Sequence, residues 1–266
     1  MTKRITILAF LVAAIVSASA QAGIILKSQS EVHGPEAMTT RTTLYLDKGK
    51  MRMEINDSTG EKEIVIFRRD KQVFWAIDPH KGTYTEITKA QLKQMKRQMD
   101  DYRRQMEEAM KNMPPEQRAM MEQMMKDQMA AAPPPEPEIE YRRAGGGMVG
   151  RWFCTRYEGL SNAIKVEEVW VAPFSKLGIS SLDLEVLKEM SSFFEEISPN
   201  SGSSLMKDTE RWETVFKGFP VKTVSYERGK VVYEDQLVDV QRRSLPQTLF
   251  EVPLGMKRET LMPTMR

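Results

Sequence analysis

Between residues 23 and 87 the apolar segments are joined by connections too short to hold a helix. Six segments rich in β-branched and aromatic residues follow one another, at 24–32, 39–47, 50–55, 62–68, 72–78 and 83–87. Turn formers separate them: His33-Gly34-Pro35, Asp47-Lys48-Gly49, Asn56-Asp57-Ser58-Thr59-Gly60, Arg69-Asp70 and Asp78-Pro79-His80-Lys81-Gly82. Parallel neighbours need a crossover of about a dozen residues or more. The spacing therefore predicts an antiparallel meander. Leu44 alternates with Leu46, and Met51 with Met53 and Ile55, so one face goes to a core and the other to water.

Thr88 ends this pattern and is placed to cap a helix running to Asn112. Its apolar positions Leu92, Met95, Met99, Tyr102, Met106, Ala109 and Met113 step by three and four, a heptad seam. Pro114-Pro115 breaks the helix, and proline in a first turn suits the start of another. The second helix carries Met120, Met121, Met124, Met125 and Met129 before AAAPPPEPE. Ten of the 20 methionines lie between Met95 and Met129. The seam is expected to close a helical hairpin inserted into a β protein.

Residues 133–149 read as a linker, polyproline first and glycine last. Strands resume at 150–159 and 164–172. Residues 181–197 form an amphipathic helix on Leu182, Val186, Met190, Phe193 and Ile197, and 204–216 a second one. A hairpin about Arg228-Gly229 and the segment LPQTLFEVP complete the chain, with 257–266 as a tail. The expected organisation is a signal at 1–22, half of a β structure at 23–87, a hairpin insertion at 88–132, a linker at 133–149, the second half with its helices at 150–256, and the tail.

Lys3 and Arg4, the apolar run Ile5 to Val16, and two small-x-small sites ending at Ala20 and Ala22 make the first 22 residues an export signal. The run is too short to span a bilayer, so no stable membrane anchor is expected after cleavage, and the location is periplasmic. Without Lys3 and Arg4, 37 basic residues face 37 acidic ones. A chain so balanced builds no field for nucleic acid. Cys154 is the single cysteine, which excludes an internal disulfide. With no histidine near it in sequence, it reads as a buried, inert thiol.

The phrases LDKGKMRMEI, VFWAIDPHKGTYTEI, MPPEQR, GRWFCTRYEG, VEEVWVA, FPVKTVSYERG and LFEVPLGMKR, in that order, resemble the exported bacterial family called domain of unknown function 4412. Its members are similar to the LolA/LolB-like lipoprotein carriers. The resemblance implies an α+β fold: a curved antiparallel β-sheet, an incomplete LolA-like barrel, covering plug helices. The methionine-rich helical hairpin is inserted into it. In the carrier relatives the concave face holds acyl chains.

Residues 145–150, GGGMVG, satisfy G-x-G-x-x-G, but a proline-rich stretch precedes them and a strand follows, where phosphate binding needs a strand before and a helix after. They read as a flexible hinge. His33 and His80 are the only histidines, too few for a triad or a zinc site. Glu167-Glu168 and Glu195-Glu196 are adjacent in sequence and do not converge as acid and base. No catalytic residues, no resident metal and no cofactor are expected.

The expectation is a non-enzymatic carrier for an apolar ligand or a lipidated protein. Its lining is Leu44, Leu46, Met53, Ile66, Phe74, Trp152 and Trp170, with Met51, Ile64, Trp75 and Tyr84 as further candidates. Met120, Met121, Met124, Met125 and Met129 would form a lid or protein-partner surface, since thioethers adapt to varied apolar shapes. One alternative is a Cu(I) protein, with Met120, Met121, Met124 and Met125 as soft ligands within one turn. The other is an envelope interaction module whose interior is filled by Phe193, Phe194 and Trp212.

Overall fold

A computed structural model describes residues 22–111, 113, 114, 117, 120, 138–194 and 203–260. Residues 1–21 of the expected 1–22 signal and Met121, Met124, Met125 and Met129 of the second hairpin helix lie outside the described residues, as do Glu195, Glu196 and Ile197. In chain order the elements are β1 (Gly23–Val32), β2 (Met38–Asp47), β3 (Lys50–Asp57), β4 (Lys62–Arg68), β5 (Val73–Asp78), β6 (Thr83–Thr88) and α1 (Lys89–Lys111). Then come β7 (Glu140–Val149), β8 (Trp152–Ser161), β9 (Ile164–Ala172), a single turn α2 (Phe174–Leu177), α3 (Ser181–Phe194) and α4 (Ser203–Thr214). β10 (Phe219–Glu227), β11 (Lys230–Arg243), a 3-10 turn (Gln247–Phe250) and β12 (Lys257–Glu259) follow.

All twelve strands join one sheet, in the order β12-β6-β5-β4-β3-β2-β1-β11-β10-β9-β8-β7. The fold is α+β, a large curved sheet not closed into a barrel. Every pairing is antiparallel except β12 with β6. β1 sits mid-sheet between β2 and β11 and joins the two halves.

Residues that pair directly across strands share a face. One row runs Phe74, Phe67, Met51, Leu46, Ile24 from β5 to β1. Helix α3 lies on this row. Phe193 meets Phe67 edge-on with centroids 5.5 Å apart, and Phe194 meets Phe74 at 4.9 Å. This is the concave face. On the opposite face, Ile25, Ile64, Ile66, Trp75 and Ile77 pack against Leu245 and Phe250. Strand β4 is therefore buried on both sides, which accounts for its unbroken run Ile64-Val65-Ile66-Phe67.

The C-terminal segment is clamped onto β4 by Arg68, whose residue surface is 6% exposed. Its Nε and Nη2 donate to Asp70 at 2.8 and 2.6 Å, and its Nη1 donates to the Phe250 carbonyl at 3.3 Å and to Glu251. Lys71 Nζ adds a bond to Glu251 at 2.7 Å.

Three expectations need correction. Residues 140–149, read as linker and hinge, are strand β7. Their glycines serve close backbone approach: a Cβ on Gly146 would lie 2.6 Å from the Cys154 carbonyl oxygen, and Gly145 has φ +102°. The tail begins with a strand, because Lys257 N donates to the Gly82 carbonyl at 2.9 Å and starts β12. The heptad seam is open in its middle. Helix α1 is capped as expected, Gln91 N donating to Thr88 Oγ1 at 3.2 Å and Thr88 N to Gln91 Oε1 at 2.8 Å. Leu92 is its one side chain classed as buried, while Met99 and Tyr102 are 57% and 67% exposed.

Candidate functional site

The predicted lining residues divide between two faces. Leu44, Leu46, Met53 and Phe74 stand on the α3 side, where they belong to the main core or pack against it. Met51 joins them. Ile66 pairs with Arg52 and Trp75 and faces the C-terminal segment instead, as do Ile64 and Tyr84. Trp170 belongs to the row Trp170, Lys222, Gln236, Gln29, whose Gln29 alternates with the concave Ser28. Its indole Nε1 donates to Glu168 Oε1 at 2.7 Å, and the Arg156 guanidinium lies 5.7 Å from its ring. Trp152 is buried, with the Arg151 guanidinium 4.7 Å from its ring. The structure thus gathers Leu44, Leu46, Met53 and Phe74 beneath α3, places Trp152 in the same core with Trp170 packed against it, and parts Ile66 from them.

Of those four, Leu46 borders a cavity of about 200 Å³ at the start of β1, and the others belong to packed core. Phe193 and Phe194 cover their row, and Trp212 meets Phe219 edge-on with centroids 4.9 Å apart. Within the described residues the apolar part of the concavity is packed core. Of the four methionines of the Cu(I) alternative, Met120 is described and is 71% exposed.

Further along the strands the same face turns polar, beyond the apolar lining expected from the sequence. Leu26 is followed on its side of β1 by Ser28 and Ser30, and β11 presents Leu237, Asp235 and Tyr233. Ser30 Oγ donates to Asp235 Oδ1 at 2.7 Å. Burial pushes the Asp235 carboxyl above the ordinary aspartate value, against the hydrogen bonds from Ser30 and Ser28. One row on, burial likewise raises Glu167, which accepts from the Tyr141 hydroxyl. Arg211 Nη1 donates to that hydroxyl at 3.3 Å and its guanidinium sits 5.0 Å from the Tyr141 ring. Burial and the Glu167 charge together push the Tyr141 hydroxyl up. The available signal was the change from apolar to hydroxyl and carboxyl at every second residue of LKSQS and VVYEDQL.

Strand β10 lies between Asp235 on β11 and Glu167 on β9. Two strand spacings of about 4.8 Å and an offset of one row keep their backbones more than about 10 Å apart, so they are not a carboxyl couple. Cys154 is fully buried, and that burial pushes its thiol up to about 11, which keeps it protonated and unreactive.

Asp235 has a definite pH signature. A carboxyl raised on folding favours its protonated form in the native state. Its contribution is full below the unfolded value of 3.8 and is lost as pH rises through the higher folded value. Asp235→Asn, which keeps an acceptor for Ser30, is expected to raise the melting temperature at neutral pH. Melts at intervals from about pH 4 to about pH 7 should show the wild type losing its deficit toward the acid end. A constant offset across that range would contradict the burial of this charge.

The family model described as Domain of unknown function (DUF4412) matches residues 89–256. The span runs from the start of α1 to just before β12, and the matching phrases of residues 46–55 and 73–87 lie ahead of it. No curated protein matches the chain. Among solved structures, an uncharacterized conserved protein from Thermus thermophilus aligns with TM-score 0.44 and 9% identity, covering 90% of this chain and 91% of that one. A MucA/MucB complex structure of Pseudomonas aeruginosa aligns with TM-score 0.37 and 11% identity, covering 90% of this chain and 58% of that one. A LolA superfamily protein from Nitrosomonas europaea aligns with TM-score 0.28 and 7% identity, covering 87% and 91%.

Proposed function

The chain belongs to the DUF4412 family, and from that premise we propose that it is an exported, non-enzymatic binding protein whose helix α1 meets a protein partner. The exposure of Met99 and Tyr102 in the middle of an apolar stripe carries this reading. Helix α1 holds seven basic and four acidic residues. Several pair along the helix, Lys96 and Arg103 with Asp100 at 3.4 and 2.8 Å and Arg104 with Asp101. Such exposed pairs contribute little, so recognition falls to the stripe. Methionine side chains bend to fit an apolar partner surface at small strain, and exposed apolar patches on a surface helix mark interaction sites. Export is supported by the charged and apolar pattern of residues 3–16. No helix among the described residues is long and apolar enough to cross a membrane.

A second reading, carriage of an apolar cargo, is favoured by the uninterrupted row from Phe74 to Ile24 beneath a single helix. Cargo would have to displace α3 to reach it. One experiment separates the two. A photo-crosslinking residue replaces Tyr102 in one strain and Phe67 in another, and both are irradiated in growing cells. A discrete protein adduct from position 102, weakened several-fold by Met99→Ser, is the expected result. Lipid adducts from position 67 alone would reverse the two readings.

A further inference from the structure

Where β1 begins, a cavity of about 200 Å³ lies between the β2–β3 turn and α3. Leu46, Leu182 and Val186 form its apolar wall, Asp183 and Glu189 face it, and Ala22 and Gly23 close one side. One oxygen of Glu189 pairs with Arg69. The other, Oε2, is buried and has no hydrogen-bond donor among the described residues. A carboxylate oxygen stripped of water in this way calls for a donor.

The chain is fixed firmly against this wall. A Cβ on Gly23 would lie 2.6 Å from Leu245 Cδ1 and 2.8 Å from the Leu46 carbonyl oxygen, so the strand start is wedged in a slot only glycine fits. Arg242 Nη1 donates to the Ala22 carbonyl at 3.0 Å while Nη2 donates to Asp183 Oδ2 at 2.5 Å. One guanidinium thus ties the Ala22–Gly23 peptide to the acidic wall. The second small-x-small site of the sequence ends at this same Ala22.

We propose that the cavity is a binding site for a primary ammonium group, with Glu189 Oε2 as acceptor and the chain's own α-amino group, released at Gly23, as occupant. Hydrolysis of the Ala22–Gly23 bond sends the hydroxyl of water to the Ala22 carboxyl and its proton to the Gly23 nitrogen. A neutral amide nitrogen on the wall becomes a cation with three donors. The four carboxylates Asp47, Asp183, Glu185 and Glu189 face Lys48, Arg69 and the Arg242 that holds Asp183, so the wall is one positive charge short until the cut is made. Arg242 keeps the Gly178 carbonyl at 2.7 Å and Asp183 after Ala22 has left. Processing would then complete an ion pair that the precursor lacks. This inference rests on the export reading and is independent of the partner reading of α1.

The test uses the exported, processed protein. Intact mass is expected to show a chain starting at Gly23. Reductive methylation with ¹³C-formaldehyde then labels its α-amine, and an NMR titration follows the proton. The amine is expected to hold its proton at least tenfold more tightly in the wild type than in Glu189→Gln, whose Arg69 is half exposed and stays hydrated. A start at another residue, or the same ordinary titration in both proteins, overturns the proposal. Methylammonium is added to unlabelled protein as the second arm. No change in melting temperature is expected, because the terminus already fills the site. A Glu189-dependent rise would assign the site to a free amine and overturn the terminus as its occupant.

Discussion

Phe193→Ala is expected to lower the free energy of unfolding by about 3–5 kcal/mol, the range for an aromatic ring removed from a packed core. Phe193 is 3% exposed, touches Phe67 edge-on, and reaches Phe194 with centroids 5.1 Å apart. Its loss takes away the burial of one large ring and the edge contacts of two others. Urea denaturation should show the midpoint falling while the slope with denaturant holds. A loss below about 1 kcal/mol would mean that α3 is a loose cover rather than part of the core, and would strengthen the cargo reading. The same variant leaves a void beside Phe67 and Phe194, so xenon or benzene should bind it and raise its melting temperature, as dry apolar voids do.

Asp70→Asn combined with Glu251→Gln is the second large effect. Both changes keep the shape of the clamp and strip it of negative charge, leaving the buried Arg68 guanidinium uncompensated. Arg68 is buried but Asp70 and Glu251 are 54% and 40% exposed, so water screens the pairs and the expected cost is about 1–3 kcal/mol. The hydrogen bond from Arg68 holds Asp70 down at about 2. Burial works to raise Glu251, and the bonds from Lys71 and Arg68 outweigh it and lower the carboxyl. For groups depressed on folding, the stabilisation is present above the unfolded values of 3.8 and 4.5. It is lost as pH falls through the folded ones. The wild type should therefore weaken in acid below about pH 4, and the double variant should show a shallower limb, since Asp183, Glu168 and other lowered carboxyls remain. Melting curves of the two proteins from about pH 7 to about pH 2 check it; parallel acid limbs would remove the clamp from the stability of the C-terminal segment.

How much was readable from the residues follows from which signals are local. The six strands of residues 23–87 announced themselves through alternation and turn chemistry, both fixed within a few residues. Their phase did not. Ile64-Val65-Ile66-Phe67 is apolar throughout because both faces of β4 are covered, so nothing in it says that Phe67 meets α3 while Ile66 meets Phe250. Composition misled at Gly145-Gly146-Gly147, since glycine for flexibility and glycine for close approach look the same until the Cys154 carbonyl and the Trp170 ring are in place. Lys257-Arg258-Glu259 has no apolar pattern, and its strand exists through backbone bonds to distant residues. The polar half of the concavity was visible as a switch of residue type along one face, but only once that face was known.

The place of β1 in the middle of the sheet has a consequence in time. Ser30 bonds to Asp235 across 205 residues, so the earliest strand to be synthesised has one flank vacant until nearly the whole polypeptide exists. Distant pairings of this kind slow folding and leave a template for mispairing. Truncation anywhere before residue 230 leaves that flank uncovered.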